Sequence, residues 1–339
     1  MRALIIGGTG NLSLSTTQLL LKKGWEVTLL HRGKSKIPDG AKELIADIKD
    51  ESVVAQKMGD TCYDSVIEFI AFEPDHVERD FRIFKGKTKQ YIFISSASAY
   101  QKPVTMLPIT ESTPLHNPFW QYSRDKAACE NVLMQHYYKE DFPVTIVRPS
   151  NTYGGKDVPI AVIGDNGCWS VLKRMKEGKR VLVPGDGSSL WAMTHSDDLA
   201  FGIVGLMGNP HALGQAVHIT SDELLCWDEI YRCIASALSV EYKPAYVPSD
   251  LLDAAGRSYG YDYKGRLTGD KACSVIFDNS KIKSLVPDFC TTIRIDQGLR
   301  AGVEYFLTNP EVQKEDPVFD AFSDRVIEAM DGVRDALSK

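Results

Sequence analysis

The chain has 339 residues, enough for one large domain or two interleaved ones with an ample core. Its 43% hydrophobic and 25% charged residues are ordinary for a soluble globular protein, and a net charge of −6 argues against nucleic acid as the main partner. The seven cysteines are scattered and never spaced Cys-x-x-Cys, so they read as reduced thiols in a cytoplasmic protein and not as a disulfide framework or zinc site. The opening run Met1–Gly8 is too short for a signal segment, and no stretch approaches the ~18 apolar residues of a membrane span.

Along the chain, short apolar runs alternate with longer amphipathic ones. Residues 2–6 read as a buried strand, 11–23 as a helix and 26–31 as a strand, with a third strand ending before Asp47. Strands follow at 64–70 and 90–95, with a helix around 74–85 between them. A long helix is expected over 118–138 and a strand over 143–148. Later come helices near 166–177, 226–238, 248–257, 296–307 and 317–337, and a strand at 216–220. The segment Tyr259–Arg266 reads either as a substrate lid or as a loop packed by its own tyrosines. Such alternation predicts an α/β fold, a doubly wound parallel sheet of Rossmann type with a smaller, mostly helical C-terminal substrate domain. The expected division is interleaved: 1–155 with 192–225 binds the cofactor, and 156–191 with 226–339 binds the substrate.

Gly7-Gly8-Thr9-Gly10 follows the first strand and opens the first helix, where backbone N–H groups and the helix dipole hold a dinucleotide pyrophosphate. A third glycine is usual three residues later; here it is Ser13, which is small enough to preserve close packing. The second strand ends in His31-Arg32-Gly33-Lys34 with no acid, so Arg32 predicts NADP(H) over NAD(H). Asp47 is placed to reach the adenine amine.

Tyr122 and Lys126 lie one helical turn apart on one face. The lysine charge favours the phenolate and brings the tyrosine towards the working range for proton exchange with an alcohol. Among 14 tyrosines chance supplies about one such pair, so the context decides its weight.

In these segments the chain resembles the extended short-chain dehydrogenase/reductases, the NAD(P)-dependent epimerase/dehydratase group. The likeness runs to about residue 307 and rests on Gly7–Gly10, Ala46-Asp47-Ile48, Ser95–Tyr100, the Tyr122/Lys126 pair and Arg148–Gly154, with weaker echoes at His195–Ala200 and Gln297–Arg300. It implies that Ser96 binds the substrate oxygen, Tyr122 exchanges the proton, and Lys126 binds the nicotinamide ribose. It further implies cofactor contacts from Gly7, Gly8, Thr9, Gly10, Asn11, Leu12, His31, Arg32, Asp47, Ile48, Ala71, Ser95 and Pro149, besides Tyr122 and Lys126. Asn151 and Trp191 are the implied substrate contacts, with a turn cap and core packing as their structural readings. Sugar dehydratases of this kind carry an Asp-Glu pair where this chain has Ala97-Ser98, which disfavours elimination of water. Trp191 stands where many nucleotide-sugar enzymes have an arginine, which argues against a diphosphate at that point. His195 with Asp197 and Asp198 reads as a helix N-terminus, and no metal is expected. A homodimer through the helices at 74–85 and 118–138 is implied by the same likeness.

The expected function is therefore an NAD(P)-dependent oxidoreductase or epimerase acting on an alcohol or carbonyl of a small substrate. A second class is a cofactor-binding regulator or RNA-associated protein on the same scaffold, as in the chloroplast stem-loop-binding proteins; presence of the Ser/Tyr/Lys set favours the enzyme.

Overall fold

The structure, a computed structural model, describes residues 1–339. The first half runs β1 (Arg2–Ile6), α1 (Asn11–Lys22), β2 (Glu26–His31), β3 (Lys42–Ile45), α2 (Glu51–Met58), β4 (Ser65–Glu68), α3 (Pro74–Phe84), β5 (Tyr91–Ile94), α4 (Gln121–Glu140) and β6 (Val144–Pro149). Then come β7 (Asn151–Tyr153), α5 (Trp169–Lys176), β8 (Val181–Pro184), β9 (Leu190–Trp191), β10 (Met193–His195), α6 (Ser196–Leu206) and β11 (Gln215–Ile219). The remainder is β12 (Leu225–Cys226), α7 (Trp227–Leu238), β13 (Pro244–Val247), α8 (Ser249–Gly256), α9 (Ser280–Leu285), α10 (Ile295–Thr308) and α11 (Pro317–Leu337).

Seven strands form one sheet in the order β11-β6-β5-β4-β1-β2-β3, every neighbouring pair parallel. β1, β4, β5 and β6 are buried almost throughout, because helices cover both faces. One apolar layer gathers Leu20, Leu199 and Ile203 beneath α1 and α6; the other gathers Val54, Val77 and Leu133 beneath α2, α3 and α4. A third and larger cluster, including Trp169, Trp191, Trp227, Tyr263 and Phe322, holds the segments outside that sheet together. The chain order reverses between β1 and β4, and the crevice at the carboxyl ends of these two strands is where such sheets bind ligands. No helix is long and apolar enough to cross a membrane.

Two local departures from the sequence pattern matter for the site. The helix expected from residue 118 starts at Gln121, because Trp120 is extended at φ −126° and the Asn117 side chain turns back to accept from Phe119 N at 3.1 Å. Tyr122 therefore sits in the first turn of α4. The Tyr259–Arg266 segment is no free lid: Tyr259, Tyr261 and Tyr263 pack on Phe322 of α11, and the chain runs on into a π-helix over Lys264–Lys271.

Candidate active site

The turn from β1 to α1 is built for a close backbone approach. Gly7 has φ +89°, and a Cβ there would fall 2.6 Å from Ile70 Cγ2; at Gly8 it would fall 2.5 Å from Leu29 Cδ2. Only glycine fits both positions. Ser13 does more than stay small: its buried hydroxyl accepts from Gly10 N at 2.9 Å and lies 3.2 Å from the Gly7 carbonyl. It thus ties the turn to the first turn of α1.

Two cavities meet at Gly7 and Ile70. The outer one, about 370 Å³, runs over the ends of β2 and β3 and is lined by Thr9, His31, Arg32, Lys34, Asp47, Ile48 and Lys49 among others. Asp47 is its one acid, and the Asp47 carboxylate accepts from Lys49 N at 3.0 Å. A carboxylate does stand near the expected cationic turn: Glu43 lies 3.2 Å from His31 Nε2, although it does not line the cavity. The inner cavity, about 440 Å³, is lined by Gly10, Asn11, Leu12, Ser95, Ser96, Tyr122, Lys126, Pro149, Asn151 and Trp191.

Ser96, Tyr122 and Lys126 come to that wall from β5 and α4. Ser96 Oγ is 2.9 Å from Ser98 Oγ, which in turn accepts from Ser123 Oγ at 2.9 Å, so three hydroxyls form a chain behind the cavity. Ser96 also accepts from Ser98 N at 3.2 Å and so caps the short turn Ala97–Ala99. Lys126 is 2% exposed and donates to the carbonyls of Ala71 and Ile94, both at 2.7 Å, with Phe72 and Phe93 rings 4.7 Å away. Burial draws its ammonium down to about 8. The Tyr122 phenol is moved up, chiefly by burial, with the neighbouring Ser96 hydroxyl opposing. The Tyr122/Lys126 spacing predicts a lowered phenol; burial of the phenol moves it the other way.

Behind Ser95 lies a buried network. Ser95 Oγ donates to Glu130 at 2.5 Å, Arg148 pairs with Glu130 at 2.6 Å, and Arg148 also donates to the Tyr100 hydroxyl at 3.2 Å. It fixes the end of β5 against β6 and α4.

Of the expected site residues, Gly8 and Ala71 line neither cavity. Gly8 is packed behind the turn, and Ala71 acts through its carbonyl on Lys126; Ile70 and Phe72 face the cavities in its place. The Asn151 amide nitrogen is buried without a partner in the cavity wall, so it caps no turn. Trp191 packs 5.8 Å from Trp227, donates to the Lys271 carbonyl at 2.9 Å, and borders the cavity. His195 caps α6 by accepting from Asp197 N at 3.2 Å, and Asp198 is engaged by Thr292 and Ile293. Three charged lining residues carried no motif: Lys102, Asp270 and Lys271. Asn117, equally silent in the sequence, donates to the Ser98 and Gly269 carbonyls at 2.8 and 2.7 Å and so clamps the serine turn, α4 and the π-helix together.

Residues 81–219 match the NAD dependent epimerase/dehydratase family. That match runs from within α3 to the end of β11, and over it the chain is similar to this family. Among the proteins it is similar to are epimerases, a dehydratase and a reductase. It is 26% identical over 253 residues to the 2'-dehydrokanamycin reductase of Streptomyces kanamyceticus, which covers 74% of this chain and 70% of that one. It is 27% identical over 252 residues to the chloroplast stem-loop binding protein of 41 kDa b from Arabidopsis thaliana, covering 70% of this chain and 63% of that protein. The structure of the UDP-glucose 4-epimerase from Bifidobacterium longum in complex with NAD+ and UDP superposes with a TM-score of 0.73 at 20% identity, covering 92% of this chain and 100% of that one. That likeness shows the Rossmann-type fold.

Proposed function

We propose that the chain is an NADP-dependent oxidoreductase or epimerase acting on an alcohol or carbonyl of a small, sugar-derived substrate. The observation that carries this reading is the meeting of Ser96, Tyr122 and Lys126 in the cavity that opens onto the Gly7–Gly10 turn. The residues fit a dinucleotide: the turn admits nothing bulkier than glycine at Gly7, and the two cavities join there. Arg32, with Lys34 and Lys49 beside it, suits a 2′-phosphate, against the single acid Asp47. When bound, the nicotinamide supplies or accepts the hydride.

Tyr122 exchanges the proton with the substrate oxygen, and Ser96 holds that oxygen through its hydroxyl. A phenol kept protonated by burial is poised to donate, which is the direction of carbonyl reduction. Lys126, fixed by two carbonyls, presents its charge to the ribose and to the phenol. Asn151 offers its unpartnered amide to the substrate. Ala97 and Ser98 provide no carboxylate beside Ser96, so reversible transfer at an alcohol is favoured over loss of water. The interleaved division into a cofactor and a substrate domain, and a homodimer through α3 and α4, belong to the same proposal. The RNA-associated reading is disfavoured by the convergence of Ser96, Tyr122 and Lys126; RNA binding that persists at high salt would reverse that judgement.

Fluorescence titration of the purified chain with NADPH and NADH tests the cofactor. NADPH is expected to bind about tenfold tighter or more, with Arg32→Ala removing the difference. Equal affinities in the wild type contradict the preference, and no binding of either contradicts the function.

A further inference from the structure

The inner cavity has a charged end that none of the sequence motifs accounts for. Lys102 leaves the serine turn 97–99 and is 2% exposed, yet its ammonium makes no hydrogen bond or ion pair within the protein while lining the cavity. Asp270 and Lys271 reach the same wall from the last turn of the π-helix, a rare geometry that is frequent at functional sites. The Lys102 charge favours the Asp270 carboxylate, but no ion pair joins them. An ammonium that faces a cavity without a protein partner is free to meet an anionic group of a ligand. The rest of this end is Trp120, Val275 and Phe277, which are apolar walls.

Lys102 and Lys271 against Asp270 leave one uncompensated positive charge. We propose that this end recognises a substrate bearing a single carboxylate, held by Lys102, next to a hydroxyl that donates to Asp270. The inference rests on the oxidoreductase reading and names its substrate class: a carboxylated polyhydroxy ring, lying with its apolar face against Trp120. Burial brings the Asp270 carboxyl up to about 6, with both lysines opposing, so it is ionised and able to accept at neutral pH. A nucleoside diphosphate brings at least two negative charges, and the second would meet Asp270. A lysine, moreover, is a point charge and not the bidentate donor a diphosphate favours. An amine would face two cations.

The test uses the full chain and calorimetric titration with D-glucuronate, D-glucose and D-glucosamine, each with and without NADPH. Glucuronate is expected to bind about tenfold tighter than glucose, with glucosamine weakest. Lys102→Met is expected to bring glucuronate down to the glucose affinity with NADPH binding unchanged; Lys102→Gln serves if the methionine variant does not fold. UDP is expected to leave glucuronate binding unaltered. The inference is overturned if glucuronate binds no tighter than glucose, if glucosamine binds best, if the lysine variants keep the preference, or if UDP displaces glucuronate. Cofactor binding is read separately by fluorescence, so its loss would strike the oxidoreductase reading while the titrations without NADPH still decide this one.

Discussion

Burial shifts the protonation of Tyr122, Lys126 and Asp270 in the inner cavity. It raises Tyr122, lowers Lys126 to about 8 and raises Asp270 to about 6, in each case disfavouring the charged form. For Asp270 the sign follows directly. The folded chain binds a proton more readily than the unfolded chain does, so the ionised carboxyl costs stability above about pH 6, and the cost fades towards the unfolded value of 3.8. Asp270→Asn is therefore expected to raise stability near neutral pH by about 2 kcal/mol, with the gain vanishing near pH 4. Denaturant unfolding at the two pH values checks this; a variant no more stable than the wild type at neutral pH contradicts it. The Tyr122/Lys126 pair shows where residue chemistry is legible in the sequence and where it stops. The spacing places both side chains in one cavity. It says nothing of the Ala71 and Ile94 carbonyls that hold the lysine, or of the burial that turns the tyrosine shift the other way.

At the scale of elements, periodicity carries far. The strands β1 and β2 and the helix α11 run over the residues that their apolar patterns mark, because each buries one face or both against a continuous layer. The π-helix is different. Lys264-Gly-Arg-Leu-Thr-Gly-Asp-Lys271 holds two glycines and one buried leucine, which reads as a turn, and tertiary contacts specify it: packing on the Asn117–Trp120 segment and bonds from Trp191 and Trp227 to the Lys271 carbonyl. A Cβ on Gly265 would fall 2.2 Å from Trp120 Cδ1. Gly265→Ala is thus expected to displace Trp120 and cost about 1–3 kcal/mol, read as a lower melting temperature with altered tryptophan fluorescence. An unchanged melting temperature would mean that the π-helix and the start of α4 do not lean on one another. The same non-local packing explains why Lys102, Asp270 and Lys271 carried no motif: residues 102 and 270 are far apart in the chain, and only the fold brings them to one wall.

Across the whole molecule, the sheet reverses its order between β1 and β4, and both cavities open at that crevice. The sheet supplies the glycine turn, Ser96 and the Lys126 anchors, while the segments outside it supply Trp191, Asp270 and Lys271. The expected cofactor half of the site was legible because a βα turn and a Tyr-x-x-x-Lys helix are local signals on a regular scaffold. The substrate half was not, since it is assembled from loops and a π-helix whose only instruction is tertiary contact. The central claim is that Tyr122 exchanges the proton at the substrate oxygen. Its most direct test is NADPH oxidation with a carbonyl substrate that the wild type turns over, compared with Tyr122→Phe. Turnover is expected to fall by about 100-fold or more while NADPH affinity is kept. A Tyr122→Phe enzyme as fast as the wild type would contradict it.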